Sequence, residues 1–506
     1  MSGLEIFLGL DLGTSGCKLI AFDAEGRELA KAHRAYRAVS PGPGLFELDA
    51  ELVWREAEAC FREVAAERLP GAVRTLAISV LGEAIVPVDK SGQALAPSPL
   101  SADLRATEET RELGEAIGPE RITAMTGQPL SPHMSLPKLI WWRKHRPDLV
   151  ARSWKFLCFG EFALMRLGFE PVIDEGMASR TLAYDLERRR WSPELLEKAG
   201  LDERRMAGVA ESGIDLGIIA PAVAERLALP KGVHVMLGGH DQPMGALGAG
   251  IVAPGMASYA LGTTEALVVA LGQRSRELGR HNIPCYPHVM PGHYVGLAGS
   301  ESGGRVLAWY HGILAAGGNA DALDELLGRL PDSLPTWPIF LSHLAGSGSV
   351  LNDPASLGAF HGLRFGTTAD DMLLAVLEGI TFEQALNLET LTQIAGPVDL
   401  VRAMGGGTRS ALWLQMKADI LNRPIMKLPV RDAPCLGAAI LGRAAIERQR
   451  PVAEIARYMV AGGQVIEPRV QRHAIYAERL DIYRSLYKAL RPLASRLTAV
   501  GRHAQK

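Results

Sequence analysis

Asp11 closes an apolar run at 6–10 and is followed by small and hydroxylated residues, Gly13, Thr14, Ser15 and Gly16. Lys18 stands near the start of the next apolar run. Glycine and hydroxyl residues suit any tight turn, so this stretch is either a plain hairpin or a grip for a phosphate chain. The same form returns at 256–272, where Gly262, Thr263 and Thr264 separate two apolar runs. Two such hairpins facing one cleft could hold the two sides of a polyphosphate. At 233–250 an apolar run ends in Gly238 and Gly239, then His240, Asp241 and Gln242, and Pro243 enters a run rich in glycine and alanine. Asp241 is there either a helix N-cap or a carboxylate placed to act as a base. Finally, the run at 401–404 enters Gly405, Gly406 and Gly407, and Thr408 or Ser410 opens an amphipathic stretch. Backbone without side chains can lie against a planar ligand or a phosphate, and it can equally be a simple turn.

The elements that must position these residues alternate over the first hundred positions. Strand-like runs at 6–10, 17–23 and 28–32 are separated by turns at 13–16 and 24–26. Residues 50–69 carry Leu52, Val53, Ala57, Phe61 and Val64 near helical spacing. Runs at 75–80 and 84–88 read as buried strands, which predicts an α/β unit with a mixed sheet. From about 100 to 235 the chain is more helical and polar. Residues 135–149 read as a helix begun by Ser135 and Pro137, and 191–200 as one delimited by Ser192, Pro193 and Gly200. Arg188, Arg189 and Arg190 just before it read as a solvated turn.

The overall balance of residues narrows the function classes. The 506 residues are 47% hydrophobic and 22% charged, with a net charge of -2, which gives no reason to expect nucleic acid or an anionic membrane as partner. Five widely spaced cysteines (Cys17, Cys60, Cys158, Cys285, Cys435) suggest a reducing compartment rather than a disulfide framework. Glu5 stands where a secretory signal would carry positive charge. The longest uncharged stretch, 242–264, holds five glycines and two prolines, too interrupted for a membrane span. The expectation is a cytoplasmic protein, with a homodimer as the commonest assembly. Neither a Gly-x-x-x-x-Gly-Lys-Ser/Thr loop nor a Gly-x-Gly-x-x-Gly fingerprint occurs, and there is no Cys-x-x-Cys or His-Glu-x-x-His zinc pattern. His281, Cys285, His288 and His293 cluster in a proline-rich loop, and their loose spacing reads as loop chemistry rather than a zinc site.

Taken together, these stretches resemble the FGGY family of carbohydrate kinases over residues 6–448. The most specific element is "GAFHGLRFGTTADDMLLAVLE" at 358–378, which is similar to the family's C-terminal signature. "MGGGTRSALWLQMKADILNRPI" with "CLGAAILG" resembles its adenine-binding end, and "SLPKLIWW" its N-terminal signature, with His133 and Trp142 departing from it. The resemblance implies two actin-like (ribonuclease H-like) ATPase domains, each a mixed sheet flanked by helices, around a central cleft. Residues 1–252 would bind sugar and phosphate, 253–448 adenine and phosphate, and 449–506 would form a C-terminal helical extension. It implies ATP and Mg²⁺, with Asp11 beside the metal through water, Asp241 at the metal side too, and Asp241 as general base. Gly13, Thr14, Ser15 and Lys18 would face the β- and γ-phosphates. Gly262, Thr263, Thr264 and Gly304 would form the second phosphate turn, and Gly406, Gly407 and Ser410 would border the adenine. On the sugar side it implies Gly82, Glu83, Asp103, Arg105 and Gln242. The substrate implied is a sugar or polyol, best read as a ketopentose such as xylulose. Erythritol-type polyols, ketohexoses, a dihydroxypentanedione-like signal, or a non-kinase actin-like ATPase are the alternatives. Three departures bear on this. Gly82-Glu83-Ala84-Ile85 stands where the xylulokinase branch has Met-His, Ser101 replaces an aromatic, and His240-Asp241-Gln242 replaces the usual Gly-Asp-Asn/Gln. An acid at Glu83 should favour a neutral, hydroxyl-rich substrate over an acidic one.

Overall fold

The computed structural model describes residues 4–316, 322–332, 337–430, 432–460 and 462–504. Two open sheets dominate it. The first is ordered Asp215–Ile218, His234–His240, Ala72–Val80, Glu5–Leu12, Gly16–Phe22, Glu28–Ala35. Its last three strands form an antiparallel meander, Ala72–Val80 and His234–His240 add in parallel, and Asp215–Ile218 closes the edge antiparallel. The apolar run at 6–10 is buried throughout, as a strand covered on both faces requires. Successive strand residues point to opposite faces. Cys17 accordingly meets Cys60 of the helix Ala50–Ala66, with the sulfurs 3.8 Å apart, while Lys18 reaches Asp432 at the start of the helix Ala433–Ile446. These two helices therefore cover opposite faces of the sheet.

The second sheet repeats this plan. Tyr294–Ser300, Glu265–Leu271 and Met256–Leu261 form the antiparallel meander; Leu400–Met404 and Ile425–Lys427 follow in parallel, and Gln464–Ile466 closes the edge antiparallel. Cys285–Pro287 adds one strand beyond the meander. The repeat of form seen in the two hairpin sequences is thus a repeat of whole sheets. Behind the second sheet runs Ala369–Ala395, buried along its middle. Thr368 and Asp371 cap its start reciprocally: the Thr368 hydroxyl accepts from the Asp371 N–H at 3.2 Å, and the Asp371 carboxylate accepts from the Thr368 N–H at 2.9 Å.

Several local expectations shift. The run at 84–88 forms Ile85–Val88 and pairs with Lys155–Cys158 in a separate two-stranded sheet. The helix expected over 135–149 ends at His145, because Pro147 cannot continue it and begins a new helix, Pro147–Arg152. More important, the cores do not follow a linear division of the chain. Ala433–Ile446 and Val452–Met459 leave the second sheet and bury Cys435, Leu436, Ile440, Ile455 and Met459 in the first core. Gln464–Ile466 and the long helix Val470–Ala504 then return, and Tyr476, Leu480, Tyr483 and Tyr487 lie in the second core. The stretch from 449 onward is therefore built into both cores rather than appended to them.

Candidate active site

Asp11, Ser79 and Gly239 lie side by side in register at the carboxyl ends of three adjacent strands. In open α/β sheets this edge is where ligands bind. Asp241 follows directly, at the first position of the helix Asp241–Gly248, with its side chain 32% exposed. The Ser79 hydroxyl donates to Asp11 Oδ1 at 2.7 Å. Burial pushes the Asp11 carboxyl up to about 7, the charge of Asp241 adds to this, and Ser79 and Lys18 pull it back. Burial and the neighbouring Asp241 carboxylate thus both disfavour the ionised form of Asp11. A hard divalent cation suits such an oxygen pair, so Asp11 and Asp241 fit the expected Mg²⁺. Among the described residues no group of three or more His, Cys, Asp or Glu is arranged to hold a metal by protein ligands alone.

Lys18 has a protein partner. Its ammonium bonds Asp432 Oδ1 at 2.6 Å, and Lys31 pairs with the other oxygen. The sequence reading missed Asp432, although Asp-Ala-Pro is a legible helix start. The turn after Asp11 is held from below: the Gly13 N–H bonds Gly16 O at 3.0 Å and the Tyr36 hydroxyl donates to Gly13 O at 2.7 Å. Thr14 and Ser15 are exposed at its tip.

The second turn has its own support. Gly304 and Arg305, at the start of Gly304–Ala316, donate backbone N–H groups to Gly262 O and Thr263 O at 3.0 Å each. A Cβ on Gly304 would stand 2.9 Å from Gly262 O, so a side chain there would push the turn away. The parallel strand Leu400–Met404 ends alongside, and Gly405 takes φ +95 with a would-be Cβ 2.7 Å from Leu261 O. Gly407 approaches Leu261 as closely, at 2.9 Å. The expected adenine loop and phosphate turn are therefore neighbours, with Gly406 between the two close approaches. Ser410 caps Ala411–Leu421, accepting from the Trp413 N–H at 3.2 Å. Beneath this turn lies a pair that sequence reasoning overlooked. Glu265 and Lys417, both fully buried, meet at 2.9 Å, and Lys417 also bonds the Tyr259 hydroxyl at 2.8 Å. Burial lowers Lys417 to about 8 despite Glu265.

On the sugar side, a Cβ on Gly82 would stand 2.8 Å from His240 Nε2 and 2.9 Å from Arg180 Nε, which explains the glycine. Glu83 adopts φ +43 and is buried. Ser101 donates to its Oε1 at 2.6 Å and Arg180 Nε to its Oε2 at 2.5 Å. Burial alone would raise this carboxyl; Arg180 in particular holds it below its ordinary value. Each oxygen has a donor, so Glu83 stands as half of an ion pair with Arg180 rather than as a free acid. Nothing in the stretch around Arg180 signalled this partner. Asp103 and Arg105 also meet each other, Nε to Oδ1 at 2.7 Å and Nη2 to Oδ2 at 2.8 Å. The Phe46 N–H and Glu47 complete this brace, and the Arg105 guanidinium lies over Trp141. Gln242 is different: its Oε1 is buried without a hydrogen-bond partner, a cost that a ligand donor would relieve. His240, also buried, bridges Asp241 Oδ1 at 3.0 Å and the Tyr286 hydroxyl at 2.9 Å. Burial and Arg180 hold its pKa below the usual histidine value.

Two equivalent sheets, each ending a hairpin in a glycine–hydroxyl turn, with carboxylates at the strand ends of one, are the architecture of the actin-like ATPase fold. The model of the FGGY carbohydrate kinase N-terminal domain matches residues 6–248, and that of the C-terminal domain residues 257–446. The chain belongs to the FGGY family of carbohydrate kinases, and is thus a phosphotransferase acting on sugars. It is 29% identical to an autoinducer-2 kinase of Klebsiella pneumoniae, across 96% of this chain and 94% of the relative. A xylulose kinase of Escherichia coli is 27% identical, across 96% of this chain and all (100%) of the relative. Among solved structures, a protein from Brucella ovis described as a xyloylose kinase superposes with a TM-score of 0.88 at 29% identity, covering 96% of this chain and 100% of that one. Among the described residues no helix is long and apolar enough to cross a membrane.

Proposed function

We propose that the protein transfers the γ-phosphoryl group of ATP to a hydroxyl of a small sugar or polyol, a ketopentose such as xylulose being the best reading. The placement of Asp11 and Asp241 at the carboxyl ends of the two strands that flank Ala72–Val80, with the charge of Asp241 raising Asp11, carries this reading. A sugar hydroxyl is a poor nucleophile. As its oxygen bonds to the γ-phosphorus, Asp241 accepts its proton, and the bond to the departing ADP oxygen breaks in line. The backbone N–H groups of Thr14, Ser15, Thr263 and Thr264 at the tips of the two turns take up charge developing on the transferred group. Mg²⁺ held by Asp11 and Asp241 would neutralise phosphate charge. The neutral Glu83–Arg180 pair and the orphaned Gln242 oxygen suit a neutral, hydroxyl-rich acceptor.

Kinship to an autoinducer-2 kinase favours a second acceptor, a linear polyhydroxy ketone such as dihydroxypentanedione. Acceptor-dependent ADP release over a panel of ketopentoses, ketohexoses, polyols, sugar acids and this ketone separates the two. Efficient turnover of a sugar acid would count against the neutral-pocket reading. Asp241→Ala should lower kcat by about 10²–10⁴; activity within a few-fold of wild type would remove the base assignment.

A further inference from the structure

His240 sits where two structural units meet. It ends the strand His234–His240, directly precedes the helix that Asp241 begins, and touches Tyr286 on Cys285–Pro287, a strand of the other domain's sheet. Its ring is buried, and the glycine at position 82 leaves room for its Nε2 edge. An ionised carboxylate offers only acceptors, so the nitrogen facing Asp241 carries a proton. With one proton on the ring, Nδ1 accepts from the Tyr286 hydroxyl, and each bond sets the tautomer needed by the other. The chain of donors runs from Tyr286 O–H to His240 Nδ1, and from His240 Nε2–H to Asp241 Oδ1.

We propose that His240 is a positioning residue for Asp241, pinning Oδ1 so that Oδ2 faces the acceptor hydroxyl. The need for such a clamp follows from where Asp241 stands. A carboxylate in the first turn of a helix is drawn to the N–H groups and positive dipole of its own helix, which would turn it away from the cleft. Arg180 spends Nε and Nη2 on Glu83, and its Nη1 is buried without a hydrogen bond to Asp241 or any other group, so it is not the clamp. His240 supplies a competing donor from a rigid strand end, and Tyr286 fixes the ring from the far side. The role rests on Asp241 being the base.

Four variants test it, with kcat and both KM values measured on the best acceptor of the panel. His240→Leu should lower kcat roughly 10²-fold, the cost of a misplaced catalytic group, while KM for acceptor and ATP stay within about three-fold. Tyr286→Phe, which leaves the imidazole but frees its orientation, should lower kcat about 10-fold. His240→Gln can return an N–H to the region of Nε2 and should recover most of the loss. Equal losses in His240→Leu and His240→Gln, or an unchanged kcat in His240→Leu, would overturn the clamp. Asp241→Asn separates this failure from that of the base itself. An inactive Asp241→Asn beside a fully active His240→Leu removes the clamp alone, and an active Asp241→Asn removes both.

Discussion

Glu161 and Asp174 face the back of the strand that carries His240, lining a small cavity with Ile78, Val80, Gly238 and Gly239. Burial pushes Glu161 up to about 8 against the pull of the Cys158 N–H, and Asp174 is pushed up to about 7. Raised folded-state values mean that the folded protein keeps protons that the unfolded chain releases near pH 4. Stability therefore falls as pH rises from about 4.3 toward the folded pKa values. Glu161→Gln keeps an acceptor for the Cys158 N–H and removes one titration. Its urea midpoint should exceed that of wild type at pH 8 and approach it at pH 5; an identical slope in the two proteins would show that Glu161 does not titrate late. Asp11 and Asp241 were legible as carboxylates because each ends an apolar run. Arg180, Tyr286 and Asp432 were not, since their partners lie far away in the chain.

The helices Asp241–Gly248 and Ala433–Ile446 meet almost backbone to backbone. A Cβ on Gly248 would overlap the carbonyl of Ala433, and one on Gly437 would overlap that of Met244. Glycine in these helices costs intrinsic helix stability, and the close approach is what it allows in return. Gly437→Ala should destabilise by about 1–3 kcal/mol, the usual cost of overpacking, and should also lower kcat, because Asp241 begins the helix that is displaced. Gly366→Ala, with no atom within 4 Å of the added methyl, is the neutral control. Equal denaturation midpoints for the two variants would mean that the helices separate freely. The run of glycine and alanine was visible in the sequence as a close-packed helix, but its partner was not.

At the scale of the molecule, the chain crosses between the two cores after residue 430 and crosses back after 460. The last crossing makes the C-terminal helix part of the second core. Removing everything after Val460 would expose the core around Tyr476, Leu480, Tyr483 and Tyr487. At roughly 1.5–3 kcal/mol for each buried side chain, that loss rivals the stability of a whole domain. Limited proteolysis of the truncated chain should therefore cut within the second sheet while the first resists. A second domain that stays resistant would make the last helix an accessory. Together with the passage at 250–255, in the loop following the Asp241 helix, the chain thus joins the two cores three times, which suits closure of a cleft over substrate.

By itself the sequence determined the hairpins, their glycine–hydroxyl tips, the strand-end carboxylates and the family, because each is written in adjacent residues whose spacing carries a backbone requirement. Tertiary structure alone decided that Glu83 is neutralised by Arg180, that Lys18 answers to Asp432, and that His240 joins Tyr286 to Asp241. Burial and charge pairing depend on which distant segments the fold brings within hydrogen-bond reach, and no local pattern records that distance.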